Sequence, residues 1–260
     1  MKTHGAVAAG HSVTARAAAR VLEEGGNAFD AVIAAMWAAC VAEPVLASLG
    51  GGGFVMARPA GKTPRLYDFF VETPLEKRSR EDLEFESRLA TFAGGVTQEF
   101  HGGYGSVATP GVVAGLFAVH DDLAKLPMAQ LAEPAIEAAR NGVKLDAFQR
   151  YVMGIVEPLL AFSTDSRKVF GKAGKTDPDN FELLDAGVTH RQPDLADSIA
   201  YLVESGAEGF YQGDLGTALV RECADHGGYL TAQDLADYRV LVRDPLLITG
   251  RKGRFVLNPP

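Results

Sequence analysis

The stretch Gly25-Gly26-Asn27-Ala28-Phe29-Asp30-Ala31, continued through Glu43-Pro44 to Gly50-Gly51-Gly52-Gly53-Phe54, sets the architecture of this chain. It reads as a helix delivered by tight turns into a buried strand. Residues 31–42 contain no charged or strongly polar side chain, so a helix here is apolar on every face and needs protein on more than one side. It is shorter than the roughly 20 apolar residues that cross a bilayer. Asn27 is placed to cap its start, Asp30 sits in its positive first turn, and Pro44 stops it. Gly25 and Gly26 suit the left-handed cap of a preceding helix. The four glycines 50–53 do not form a phosphate loop. Such loops follow a strand and open a helix, whereas here a helix precedes and a strand follows. Their expected role is tight turning and close backbone approach.

Working outward, residues 6–9 are expected to form a short strand, and Val13, Ala17, Ala18, Val21 and Leu22 recur at helical spacing behind Ser12 as cap. Residues 54–58 and 66–71 read as strands joined by the Pro- and Gly-containing segment 59–64, a hairpin. The second strand is apolar on both faces apart from Asp68, so it needs a layer above and a layer below. Segment 76–86 is helix-compatible, and 93–104 reads as an irregular excursion. Helical periodicity then recurs in 111–123, 128–141, 147–162, 194–204 and 217–226, with Thr231 and Asp234 forming a capping box. Short strands close the chain at 246–249 and 254–257.

The 260 residues are 47% hydrophobic, enough for a sizeable core. A net charge of −8 argues against non-specific nucleic-acid or acidic-membrane binding. Cys40 and Cys223 make neither a disulfide framework nor a metal site and are expected as buried free thiols. The six histidines, 4, 11, 101, 120, 190 and 226, show no ligand spacing, so no metal or cofactor is expected. His11 beside Ser12 suggests nucleophile chemistry, but adjacent side chains rarely face each other. No Gly-x-Ser-x-Gly elbow occurs, since Gly105-Ser106 lacks the flanking pattern. Lys2 is followed only by the apolar run 6–9, short of a signal-peptide core, and the chain is expected in the cytoplasm. The residues alone give a mixed α/β domain without a recognisable active site.

Several motifs in order resemble the γ-glutamyltranspeptidase family: Glu24-Gly25-Gly26-Asn27-Ala28-Phe29-Asp30-Ala31, Glu43-Pro44, Gly50 to Phe54, Thr109-Pro110-Gly111-Val112-Val113-Ala114-Gly115, Arg191-Gln192-Pro193-Asp194-Leu195-Ala196, Phe210-Tyr211-Gln212-Gly213, Gly227-Gly228-Tyr229-Leu230-Thr231-Ala232-Gln233-Asp234-Leu235 and the terminal Asn258-Pro259-Pro260. The resemblance implies the N-terminal-nucleophile hydrolase fold, two stacked sheets between helical layers, left incomplete in this chain. Residues 1–260 are then one large-subunit-like domain, with sheet elements in 5–74 and 246–257 and a helical flank over 109–240.

The resemblance also implies a precursor cut by its own threonine, whose hydroxyl attacks a γ-glutamyl amide. A free α-amino group, with a pKa of about 8, serves as its base. That threonine and its oxyanion donors are expected beyond this chain, so no catalytic residue is assigned within it; Thr3 is no substitute. The partners implied are a small-molecule amide or peptide substrate, a C-terminal small-subunit segment and a second copy in a homo-oligomer, with no cofactor. Phe70 stands where classical members place an arginine that pairs with the substrate α-carboxylate. A phenyl ring cannot replace a bidentate guanidinium, which points to a different acyl group unless Arg65 or Arg78 takes over. The expected function is the N-terminal part of a γ-glutamyltranspeptidase-like enzyme, with a non-catalytic scaffold or binding fragment as the alternative.

Overall fold

A computed structural model describes residues 5–259; Lys2, Thr3, His4 and Pro260 lie outside them. In chain order the elements are α1 (Ser12–Glu23), α2 (Ala28–Ala42), β1 (Gly53–Ala57), β2 (Arg65–Phe69), β3 (Glu86–Thr91), β4 (Thr97–Gly102), α3 (Val112–Leu123), α4 (Met128–Asn141), β5 (Val143–Lys144), α5 (Ala147–Ile155), α6 (Glu157–Leu160), α7 (Thr164–Phe170), β6 (Thr189–His190), α8 (Pro193–Tyr211), α9 (Asp214–Asp225), α10 (Ala232–Asp237), β7 (Leu241–Arg243), β8 (Leu246–Gly250) and β9 (Gly253–Leu257).

Helix α2 is the centre of the core. Asn27 Oδ1 accepts from the Phe29 and Asp30 N–H groups, and Asp30 Oδ2 accepts from Asn27 N at 2.7 Å, closing a capping box. The other Asp30 oxygen accepts from Lys125 N at 2.9 Å and Leu126 N at 3.0 Å, so this fully buried carboxylate fastens the start of α2 to the loop before α4. Ile33, Ala34, Trp37, Ala38 and Val41 are buried on faces covered by α1, α3 and α4. The Trp37 indole donates to Met128 Sδ at 3.3 Å and meets Phe117 edge-on at 6.5 Å. At its far end the Val41 carbonyl accepts from Gln192 Nε2 at 3.0 Å and the Ala42 carbonyl from Gln149 Nε2, which satisfies terminal acceptors that no helical N–H reaches.

Strands β1, β2 and β7 form one antiparallel sheet in that order, with Phe54 opposite Asp68 and Asp68 opposite Leu241. Alternation sends Tyr67 and Phe69 toward α3 and Phe54, Met56, Asp68 and Phe70 to the other face. The α3 side is packed; on the other, Phe54, Met56, Phe70 and Leu241 are exposed. Within β2 the expectation of burial on both faces holds, with Tyr67 and Phe69 buried on the α3 side and Leu66 buried on the other; what is exposed on that other face is Phe54 and Met56 of β1, Leu241 of β7, and Phe70, which lies past the strand end.

Other expectations change with identifiable causes. The α1 cap is His11, whose Nδ1 accepts from Val13 N at 3.1 Å, because the helix starts one residue early and takes Ser12 into its first turn. Residues 6–9 join no ladder among the described residues. Segment 76–86 holds one 3-10 turn, Arg80–Asp82, followed by the hairpin β3–β4, which turns through Gly94 and Gly95 at φ 84° and 79°. The helix expected over 147–162 divides into α5 and α6 around Pro158, which has no N–H to continue the ladder. Helix α8 runs past Glu204 with a break at Gly206, φ 72°. The β8–β9 hairpin forms as expected, with Leu246, Leu247, Ile248 and Phe255 exposed.

Candidate functional site

The motifs that lie far apart in sequence meet at the end of β2. Gly52 lies against the backbone of residues 69–71, where an added Cβ would fall 2.5 Å from Val71 N. The Gly51 carbonyl accepts from Gly111 N at 2.8 Å and Val112 N at 3.0 Å, so it occupies the opening amides of α3. These glycines thus serve backbone approach, as their position before a strand indicated. Gly111 leaves room for the Phe69 carbonyl and the Tyr238 hydroxyl, and Gly115 for the Phe69 ring. Beyond Phe70 the chain pairs with the Thr109 segment through Glu72, with N–H···O distances of 3.2 and 2.8 Å. It then docks on α10, where Asp234 Oδ1 accepts from Leu75 N at 2.9 Å. Burial pushes the Asp234 carboxyl up, but hydrogen bonds from Thr231 and Leu75 outweigh it and hold it below its ordinary value.

Phe70 is fixed by its backbone and free at its ring. Its N–H donates to Asp68 Oδ1 at 3.1 Å and its carbonyl accepts from Tyr238 Oη at 2.8 Å. The ring stacks on Phe54, with centroids 5.5 Å apart and planes 11° apart, and this pair forms an aromatic surface on the uncovered face. Behind it Tyr238 stacks on Tyr211 at 5.6 Å, and Tyr211 Oη donates to the Pro110 carbonyl at 2.7 Å. Burial raises the pKa of both phenols, keeping them protonated donors.

Neither arginine considered as a replacement reaches this face. Arg65 lies on the α3 side, 3.3 Å from Asp122 Oδ2, which also accepts from Tyr67 Oη at 2.7 Å; burial and that carboxylate push the Tyr67 phenol up to about 12. Arg78 Nη1 donates to the Ala224 carbonyl at 3.4 Å. The arginine on the Phe70 face is Arg243, whose Nε lies 2.9 Å from Asp68 Oδ2. The sequence reading missed it because β7 is only three residues long. Its signal was Asp68, a lone carboxylate in an apolar strand that needs a cation. His11 Nε2 faces Asp146 Oδ2 at 3.9 Å while Ser12 is exposed, so the two form no nucleophile pair. Cys40 and Cys223 are buried and free, and burial pushes the Cys40 thiol up to about 12, which leaves it unreactive.

The convergence of these motifs on one strand end agrees with a family match over residues 14–260 to gamma-glutamyltranspeptidase. The chain belongs to the gamma-glutamyltranspeptidase family. Glutathione hydrolase 2 of Arabidopsis thaliana is 33% identical over 257 residues, covering 99% of this chain and 41% of that protein. The glutathione hydrolase proenzyme of Pseudomonas aeruginosa is 32% identical over 256 residues, covering 98% and 42%. The crystal structure of Helicobacter pylori gamma-glutamyltranspeptidase superposes with a TM-score of 0.85 at 28% identity, over 100% of this chain and 71% of that one. Bacillus anthracis CapD gives 0.78 at 26% identity, over 100% and 77%. The chain thus has the gamma-glutamyltranspeptidase version of the N-terminal-nucleophile hydrolase fold and spans about two-fifths of the length of these curated relatives, matching their N-terminal portion. No helix among the described residues is long and apolar enough to cross a membrane.

Proposed function

We propose that residues 1–260 form a single large-subunit-like domain of a gamma-glutamyltranspeptidase-like amidohydrolase or acyltransferase, completed by a C-terminal segment that carries the threonine nucleophile. The observation that carries this reading is the uncovered apolar face of Phe54, Met56, Phe70 and Leu241 on a sheet packed on its other side. An exposed apolar face marks a site for a partner surface, here the second sheet over Met56 and Leu241, with the acyl donor held between the sheets at the Phe54–Phe70 end. That relatives are named proenzymes supports self-cleavage as the source of a free N-terminal threonine. Its hydroxyl attacks the amide carbonyl while the α-amino group takes the proton; the C–N bond breaks, the amine leaves with that proton, and the acyl ester passes to water or an acceptor amine.

Phe70 sets the donor in this reading. An α-carboxylate against the Phe54–Phe70 stack loses hydration without gaining a cation, so the preferred acyl group is not a simple γ-glutamyl. Two unpaired buried thiols fit a reducing compartment, the cytoplasm. The test is hydrolysis of γ-glutamyl, glutaryl and γ-aminobutyryl p-nitroanilides by the complete protein and by this chain alone. The complete protein turns over acyl anilides and the isolated chain does not. Turnover that rises linearly with the isolated chain's concentration overturns the division of labour.

A further inference from the structure

We infer that Arg243 is the residue that meets an anionic group of the acyl donor, so that the donor class is an amide whose acyl chain carries a carboxylate displaced from Phe70 toward β7. This rests on the amidohydrolase reading. By register Arg243 lies opposite Leu66, and Asp68 opposite Leu241, on the face that also bears Phe54 and Phe70. Asp68, with a side chain 14% exposed, holds two things with one carboxylate: Oδ1 accepts from the Phe70 N–H and Oδ2 pairs with Arg243 Nε.

The terminal nitrogens of Arg243 donate to no protein acceptor among the described residues, and its side chain is 42% exposed. A guanidinium fixed at Nε still offers terminal N–H groups in a planar fork that matches a carboxylate. Beside it, the stacked Phe54 and Phe70 rings are apolar and exposed, which suits a methylene chain ending in a charge. Asp68 and Phe70 are two residues apart, about 7 Å along the chain. The cation on this face, held beside Asp68 from a position opposite Leu66, is therefore displaced from position 70 toward β7.

The experiment uses the complete protein and p-nitroanilides of adipic and suberic half-acids against hexanoyl and octanoyl anilides. The carboxylate-bearing donors are favoured at least tenfold in kcat/KM, Arg243→Gln abolishes that ratio, and Arg243→Lys restores part of it. As a readout independent of turnover, millimolar suberate raises the Tm of the unsubstituted protein, and the rise disappears in Arg243→Gln. A ratio that survives Arg243→Gln, including an equal fall for both donor types, overturns the inference. Turnover of acyl anilides with no carboxylate preference overturns it as well while leaving the amidohydrolase reading intact. No turnover of any anilide together with no thermal shift defeats both; a thermal shift without turnover upholds the anion site and defeats the reaction.

Discussion

The Tyr238 hydroxyl donates a 2.8 Å hydrogen bond to the carbonyl of Phe70, a residue 168 positions earlier. The contact ties the start of the final strands to the end of β2, and Gly111 passes so close that an added Cβ would fall 2.1 Å from that hydroxyl. Tyr238→Phe leaves the Phe70 carbonyl without its donor and is expected to lower stability by about 1–2 kcal/mol. Gly111→Ala is expected to cost more, because backbone on one side and a buried phenol on the other both have to move. Urea unfolding midpoints of the two variants check this ordering.

Phe70→Arg in the complete protein is expected to raise kcat/KM for γ-glutamyl donors relative to γ-aminobutyryl donors by tenfold or more, about 1.4 kcal/mol. In the unsubstituted protein, removing the α-carboxylate is expected to cost little. A hundredfold loss there, about 2.7 kcal/mol, means that another cation already reads the α-carboxylate.

Asp30 is a buried carboxylate satisfied by three backbone N–H groups, from Asn27, Lys125 and Leu126. Asp30→Ala strands all three and is expected to destabilise by about 3 kcal/mol or more. Asp30→Asn keeps one acceptor oxygen and is expected to fall between the two. Denaturant midpoints measured for both substitutions decide this.

His190 is buried on β6 with Nε2 lacking a protein partner, and burial lowers its pKa. The folded state therefore binds fewer protons than the unfolded one just below the ordinary histidine value of about 6.5, so stability falls as pH drops from there through the depressed folded pKa. His190→Gln removes that part of the acid sensitivity. Thermal unfolding between pH 7.5 and 5 compares the two.

Taken alone, the chain is expected to self-associate through its uncovered sheet face and the apolar β8–β9 hairpin. Hydrogen exchange is expected to be faster in β1 and β2 than in α2, α4 and α8. A monodisperse monomer in light scattering, with sheet amides as protected as those helices, shows that the face needs no cover.

Those features with strong local chemistry were legible in the sequence. The Asn27 cap, the apolar α2, the Gly50–Gly53 turn and the Thr231–Asp234 box are each written in nearby residues, and each forms as read, with Asp30 closing a capping box on Asn27 that the sequence reading had given only as a first-turn charge. What failed depended on partners elsewhere. The apolar run 6–9 says nothing about which strand it would join. The β3–β4 hairpin has solvent on much of its surface, so its residues lack the alternation that betrays a buried strand. Arg243 lies 175 residues beyond Asp68 in sequence, and only the β2–β7 pairing brings the two together.

The burial of Trp37, the single tryptophan, makes the protein's intrinsic fluorescence a report on the helical core alone. Its emission is expected to be blue-shifted and resistant to iodide, and to stay silent while ligand or protein docks on the Phe70 face. Cys40 and Cys223 are equally out of reach of labelling reagents. A cysteine introduced at the exposed Val242 would therefore carry a dye alone, so that the core and the sheet can be watched in separate optical channels within one molecule.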